Sequence, residues 1–226
     1  MIDIENGHAI LIDKPYTWTS FQVVKKIKYK INHLYGKKIK IGHAGTLDPL
    51  ATGLLIICIG KFTKRIEEFQ AQEKEYTGSF TLGATTPSFD LEHPVDQTFP
   101  IDHITQEQIL SVAKELTGKM DQIPPMFSAK WIDGKRAYKL ARENNQEVEL
   151  KPKEIEIKEF DITKIEMPQV YFRIVCSKGT YIRSIARDFG LMLQSGAYLS
   201  SLCRTRIGDY DLKDAVKLED LEEHFQ

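Results

Sequence analysis

"IGHAGTLDPLATGLLIICIG", residues 41–60, decides how the chain is read. Its second half, "LLIICIG", is a short apolar run of branched residues ended by glycine, the pattern of a fully buried strand. Periodicity alone leaves a buried helix open, whereas length and branching favour the strand. Its first half is a loop of Gly, Ala, Thr and Pro that holds one carboxylate, Asp48, with no second acid beside it.

Working outward, "AILIDKP" reads as a short strand ended by Pro15. Ser20 is positioned to cap a helix from Phe21 to about Ile31, with Phe21, Val24, Ile27 and Ile31 on one face. The stretch from Asn32 to Gly53 is then a loop punctuated by Gly36, Gly42, Gly45 and Gly53. A helix is expected from Thr63 to Gln70, and "KEYTGSFTLGA" alternates like a half-buried strand. Residues 85–103 read as loop, and Thr105 to Leu116 as an amphipathic helix opened by the capping-box pattern "TQEQ".

"MFSAKWIDGKRAYKLARENN" predicts strand, Asp-Gly turn and helix. From Val148 to Cys176 strand-like stretches follow one another. "KGTYIRSIARDFGLML" is a helix, and "SSLCRTRIGDYDL" returns as strand. There is no internal repeat. The mixture, rich in adjacent strands, predicts an α+β class with a largely antiparallel sheet flanked by helices.

At 226 residues, 42% hydrophobic and 28% charged, the chain has the make-up of a soluble globular protein with a substantial core. No apolar run approaches the roughly 18 residues of a membrane span, and the start is unlike a signal peptide. Cys58, Cys176 and Cys203 are far apart and form no CxxC pair, so they are expected to be reduced thiols of a cytoplasmic protein.

The net charge of −1 argues against indiscriminate coating of nucleic acid, but its distribution is uneven. Between Phe21 and Leu47 there are seven lysines and no acid. Between Phe172 and Gly208 six basic residues face only Asp188, while Asp209 to Gln226 holds seven acids and two lysines. Such segregation builds a basic face for a polyanion, or simply a solvated lysine-rich helix.

Several chemistries lack their residues. GxSxG, GxxxxGK[ST] and GxGxxG are missing, and the six histidines have no metal-ligand spacing. Paired-carboxylate hydrolysis wants a second acid, which the loop does not hold. A lone carboxylate serves as a covalent nucleophile if it stays ionised beside a cation. Arg183 in "KGTYIR" is the best candidate for that cation, brought from elsewhere in the chain. The competing reading of Asp48 is an ordinary turn residue, since Asp before Pro is common in turns.

Five ordered blocks carry a family resemblance over nearly the whole chain: "GHAILIDKP", "GHAGTLDPLATGLL", "KEYTGSFTLGATTPSFD", "PPMFSAKWIDGKRAYKLAR" and "CSKGTYIRSIARDFG". Together they resemble the TruB-type pseudouridine synthases, bacterial enzymes of tRNA uridine-55. The resemblance implies the pseudouridine synthase fold and a metal-free, cofactor-free isomerisation in which uracil is detached and rejoined through carbon 5. It implies Asp48 as the catalytic carboxylate, attacking either ribose or uracil. Tyr76 would stack on the flipped-out base, and His43 would contact RNA where that base has left. Tyr181, Arg183 and Leu202 would line the pocket, with Arg183 paired to Asp48. Lysines 25 to 40 and the arginines of residues 173–206 would track phosphates.

The implied partner is the T-arm stem-loop of tRNA, with no membrane and no protein partner. The stretch from Lys30 to Ile41 is longer and richer in lysine than is usual for the family. The chain is expected to be one catalytic domain, residues 1–226, without the C-terminal PUA-type domain of many relatives. Another RNA target, or a non-catalytic tRNA-binding or folding module, remains an alternative at this point.

Overall fold

The computed structural model describes residues 6–36, 38–126, 131–132, 135–136 and 150–221. The chain divides into two compact units, Met1–Thr77 with Ser201–Gln226, and Gly78–Ser200.

The first unit is built around strand β3, Thr52–Ile59. Strand β1, His8–Lys14, lies antiparallel to it, from His8 opposite Ile59 to Lys14 opposite Gly53. A short strand β2, Ile41–His43, also pairs antiparallel with β3. Strand β12, Ala197–Ile207, runs parallel to β3 with Cys203 opposite Thr52 and Arg204 opposite Gly53. Strand β13, Tyr210–Asp211, turns back on β12, and β14, Val216–Lys217, joins β1 in parallel.

Every side chain from Leu54 to Ile59 is fully buried, because both faces of β3 are covered. Leu55, Ile57 and Ile59 meet Ile10, Ile12 and the apolar face of helix α1, Ser20–Tyr35. Leu54, Ile56 and Cys58 meet Ala44, Ile207 and Phe69, the last from helix α2, Ile66–Ala71. Alternate residues thus face opposite layers, which is why the run is apolar without a break.

Three helix boundaries differ from expectation. Thr19, not Ser20, caps α1: its hydroxyl accepts from the Gln22 amide while the Gln22 side chain accepts from the Thr19 amide. The helix runs past Ile31 to Tyr35 and stops where Gly36 adopts φ 62°. Residues 32–35 are therefore helix rather than loop. The helix expected from Thr63 is a 3₁₀ helix over Gly60–Arg65 leading into α2.

In the second unit the strand order is β4 (Lys74–Leu82, which begins in the first unit), β11 (Gln169–Cys176), β10 (Lys153–Glu166) and β7 (Gly118–Gln122). β10 pairs antiparallel with both β11 and β7. Two-residue strands β5, Ala84–Thr85, and β6, Gln97–Thr98, pair across the region read as loop. Helix α3, Gln106–Glu115, has the expected Thr105–Gln108 capping box. Helix α4 spans Ile182–Met192.

The core gathers Phe80, Phe160, Phe172 and Phe189, with ring centroids 4.4 Å apart for Phe80 and Phe172 and 5.8 Å for Phe160 and Phe189. Strands β8, Trp131–Ile132, and β9, Lys135–Arg136, pair antiparallel; the strand before the Asp-Gly turn was expected, whereas the residues just after it are strand where a helix was expected. The Asp-Gly turn, the helix expected after it and most of "EVEL" lie outside the described residues. The architecture is the expected α+β one, with largely antiparallel strands. No described helix is long and apolar enough to cross a membrane.

Candidate active site

Asp48 sits at the first position of a turn. Its carbonyl accepts from the Ala51 amide at 3.1 Å, and Pro49 supplies the fixed φ that a turn favours at its second position. The bland reading of Asp48 as a turn residue is thus geometrically correct. What a turn alone does not explain is how firmly its flanks are tied.

Before Asp48, the Ser20 hydroxyl bonds both backbone groups of Leu47, donating to the carbonyl at 3.0 Å and accepting from the amide at 2.9 Å. After it, the buried Lys14 ammonium donates to the carbonyls of Pro49 (3.2 Å), Trp18 (2.5 Å) and Pro15 (3.1 Å). At the outer ends, the buried Arg204 guanidinium donates to Gly45 (3.1 Å) and Leu54 (2.8 Å). Gly53, at φ 97°, lets the Arg204 backbone pass close by: a Cβ there would meet the Arg204 carbonyl and lie 2.8 Å from its amide nitrogen. The loop is held through its backbone, leaving the Asp48 side chain half-buried.

Electrostatics around the loop are cationic. Burial is the main cause that lowers Lys14 from 10.5 to about 8, with Arg204 adding to it and Asp48 opposing. His43, at the end of β2, is pushed below its ordinary 6.5 by burial and then by Arg204, against a smaller pull from the Gly45 backbone. It is therefore neutral at pH 7, and its buried Nδ1 has no hydrogen-bond partner among the described residues. Burial also raises the thiols Cys58, to about 11, and Cys203. The three cysteines are free.

Two more of the expected site residues lie in this unit. Tyr76 is buried on β4, 8% exposed. Leu202 is half-buried on β12, and its carbonyl accepts from the Thr52 hydroxyl at 3.3 Å.

Tyr181 and Arg183 belong to the second unit, at the start of α4. The Gln122 amide holds Tyr181 by both backbone groups, at 2.8 and 3.1 Å. Arg183 is buried; its Nε lies 3.6 Å from the buried Asp90 carboxylate and its Nη1 donates to the Ser88 carbonyl at 3.2 Å.

Asp90 was not singled out by sequence reasoning. It lies in "TTPSFD", and the signal was weak: one acid in a loop, with a partner 93 positions away. Lys14 and Arg204 were equally silent, because each binds main-chain carbonyls that every residue offers.

The second basic cluster, expected to track phosphates, is partly ion-paired within the chain. Arg173 pairs with Glu159 and Asp161, Arg187 with Asp188, and Arg206 with Glu73. The lysines of α1 differ: Lys25, Lys26 and Lys28 are exposed. Among the described residues no group of three or more His, Cys, Asp or Glu is arranged to hold a metal.

Residues 32–182 match the "TruB family pseudouridylate synthase (N terminal domain)", and residues 183–226 match the "tRNA pseudouridylate synthase B C-terminal domain". Proteins named tRNA pseudouridine synthase B are similar over nearly the full chain. That of Flavobacterium johnsoniae is 55% identical over 97% of this chain and 96% of its own length. That of Parabacteroides distasonis is 50% identical over 100% and 96%.

Among solved structures, a chain of "a Cbf5-Nop10-Gar1 Complex" aligns over 98% of this chain with TM-score 0.74 and 29% identity. One from an "H/ACA RNP bound to a substrate RNA containing 2'-deoxyuridine" gives TM-score 0.70 and 28% identity. This chain spans about half of each of those, 55% and 54%. The two family matches and the near-full-length identity place the chain in the TruB family of pseudouridylate synthases.

Proposed function

We propose that the protein isomerises uridine-55 in the T arm of tRNA to pseudouridine in the cytoplasm, with Asp48 as the reacting carboxylate. The observation that carries the reading is the Asp48 turn, fastened at Gly45, Leu47, Pro49 and Leu54 by Arg204, Ser20 and Lys14. A nucleophile gains from a backbone that cannot drift, since small misplacements are costly in rate. The relatives named tRNA pseudouridine synthase B support tRNA as the substrate class.

The chemistry breaks the bond between ribose carbon 1′ and uracil N1 and forms one from carbon 1′ to carbon 5; carbon 5 loses its proton and the freed N1 takes one up. A stacked base hides these atoms, so the uridine is flipped out, costing a few kcal/mol. Stacking on Tyr76 recovers roughly 1–3 kcal/mol. In this reading Arg183 supplies the positive charge that complements the reacting carboxylate. Tyr181 and Leu202 line the base pocket. His43, neutral at pH 7, offers RNA an uncharged hydrogen-bonding ring at the vacated position.

The test incubates the protein with a T-arm stem-loop transcript, digests the RNA and separates its nucleosides, beside a transcript with the target uridine replaced by cytidine. One pseudouridine is expected with the first substrate and none with the second. Asp48→Asn should lower the rate by at least about a thousandfold while RNA binding persists. Turnover by Asp48→Asn near the parent rate would refute the assignment, and product from the cytidine transcript would refute the position.

A further inference from the structure

Helix α1 carries a surface that the chemistry at Asp48 does not use. Val23, Val24, Ile27 and Ile31 take its buried side. The opposite side presents Phe21, Lys25, Tyr29 and His33 at four-residue spacing, one row along the helix. Phe21 is 71% and Tyr29 77% exposed. Lys26 and Lys28 flank the row and are exposed too.

The Tyr29 and His33 rings lie parallel, 6° between planes and 6.5 Å between centroids, and Lys26 sits 5.4 Å from the Trp18 ring. Past the helix, buried Ile39 is anchored through its amide to Asn32 at 3.0 Å, which turns Lys38 and Lys40 outward on either side.

This arrangement is costly for a helix standing alone. Lys25 and Lys28 are like charges one turn apart, and residues 21–47 hold no acid to offset them. Phe21 and Tyr29 are also the most exposed large hydrophobic side chains among the described residues. A polyanion with planar bases relieves both: phosphates neutralise the lysines and bases cover the rings. An acidic protein would answer the lysines only.

The row also starts at the candidate site, since Ser20 at the head of α1 bonds Leu47 beside Asp48. From Phe21 to His33 it extends about 18 Å outward at 1.5 Å per residue.

We propose that this face of α1 is a second RNA-contact surface, binding unpaired nucleotides of the tRNA substrate outside the T-arm hairpin. Unpaired nucleotides are required because the faces of paired bases are stacked inside a stem and closed to Phe21 and Tyr29. The inference rests on tRNA being the substrate, and its test reads binding rather than turnover.

Affinities of the parent protein for a full-length tRNA transcript and for the isolated T-arm hairpin are measured across a salt series. The comparison is repeated with Lys25→Gln/Lys26→Gln/Lys28→Gln and with Phe21→Ala/Tyr29→Ala. All substituted side chains are exposed, and circular dichroism verifies that both variants stay folded. For full-length tRNA the lysine variant should flatten the slope of log affinity against log salt by about 2, and the aromatic variant should weaken binding about tenfold.

Both losses should exceed those for the hairpin several-fold. Unchanged affinity and slope for full-length tRNA would overturn the proposal, as would equal losses on both RNAs. A parent that binds tRNA but makes no pseudouridine would refute the isomerase reading and leave this comparison intact.

Discussion

Asp90→Asn removes one charge and almost no volume from the second unit. The Asp90 carboxylate lies 3.6 Å from Arg183 Nε, with side chains only 6% and 5% exposed. Its other bonds survive the change: Oδ1 still accepts from the Glu92 amide at 3.0 Å, and its main-chain carbonyl still accepts from the Thr86 hydroxyl at 2.6 Å.

Two unit charges 3.6 Å apart attract by about 4–5 kcal/mol at an effective dielectric of ~20. Stranding one member of a buried pair costs about 3–5 kcal/mol, and the remaining Asn dipole places the loss near the lower end. In a chain of this size each kcal/mol moves the melting temperature by about 2–4 °C, so a fall of about 6–12 °C is expected in calorimetry at pH 7.

Loosening Arg183 should also slow pseudouridine formation at saturating RNA while the Kd for tRNA stays close to that of the parent. A melting temperature within about 2 °C of the parent would refute the claim that Asp90 holds Arg183. A clear thermal loss with unchanged turnover would show that the chemistry does not depend on that placement.

Lys14 yields a pH signature. Its folded value of about 8 lies below the ordinary 10.5, so the unfolded chain holds the proton more tightly between those limits. Charged Lys14 opposes folding below about pH 8, and stability relative to Lys14→Met should rise from pH 8 to 10.5, by at most about 3 kcal/mol. Urea midpoints of both proteins across that range check it, and a flat or falling difference would contradict it. Comparing the two cancels Cys58, whose raised thiol acts in the opposite sense, losing its stabilising effect as pH climbs towards about 11. Gly53→Ala should cost about 3 kcal/mol, from the positive φ and from an Arg204 backbone that cannot retreat; an unchanged urea midpoint would refute the close approach.

The fold was legible wherever burial dictates pattern. "LLIICIG" could be read as a strand because both of its faces are covered, and "TQEQ" as a helix start because a capping box is local. The misreadings have local physical causes as well. In "TWTSFQ" two hydroxyls stand side by side, and the one three residues before Gln22 makes the reciprocal pair, so Thr19 caps. Ser20 is thereby released to hold Leu47, a contact no local pattern announces. The end of α1 was placed early because Asn32 and His33 look like loop residues. The helix carries them, and Asn32 holds the next segment through Ile39.

The candidate site was legible only where side-chain identity carries chemistry. Asp48 stood out as a lone acid in a loop of small residues, but composition alone favoured an ordinary turn. Its expected catalytic role, like the expected roles of Tyr76, His43, Tyr181, Arg183 and Leu202, came only from the family motifs around it. The supports escaped notice for a common reason. Lys14 and Arg204 look like surface cations in a sequence, yet each is buried with its charge directed at main-chain oxygens. Main-chain acceptors leave no mark on residue identity, so neither partner advertises the other.

The same blindness explains the second basic cluster. Counted along the chain, Arg173, Arg187 and Arg206 resemble a polyanion face, but Glu159 on the adjoining strand, Asp188 next in the chain and the distant Glu73 pair with them. Charge segregation in a sequence therefore predicts an interface only where the fold brings no acid back to it. Among the described residues Lys25, Lys26 and Lys28 of α1 form no ion pair, with the exposed rings of Phe21 and Tyr29 on the same helix, whereas Arg173, Arg187 and Arg206 are paired.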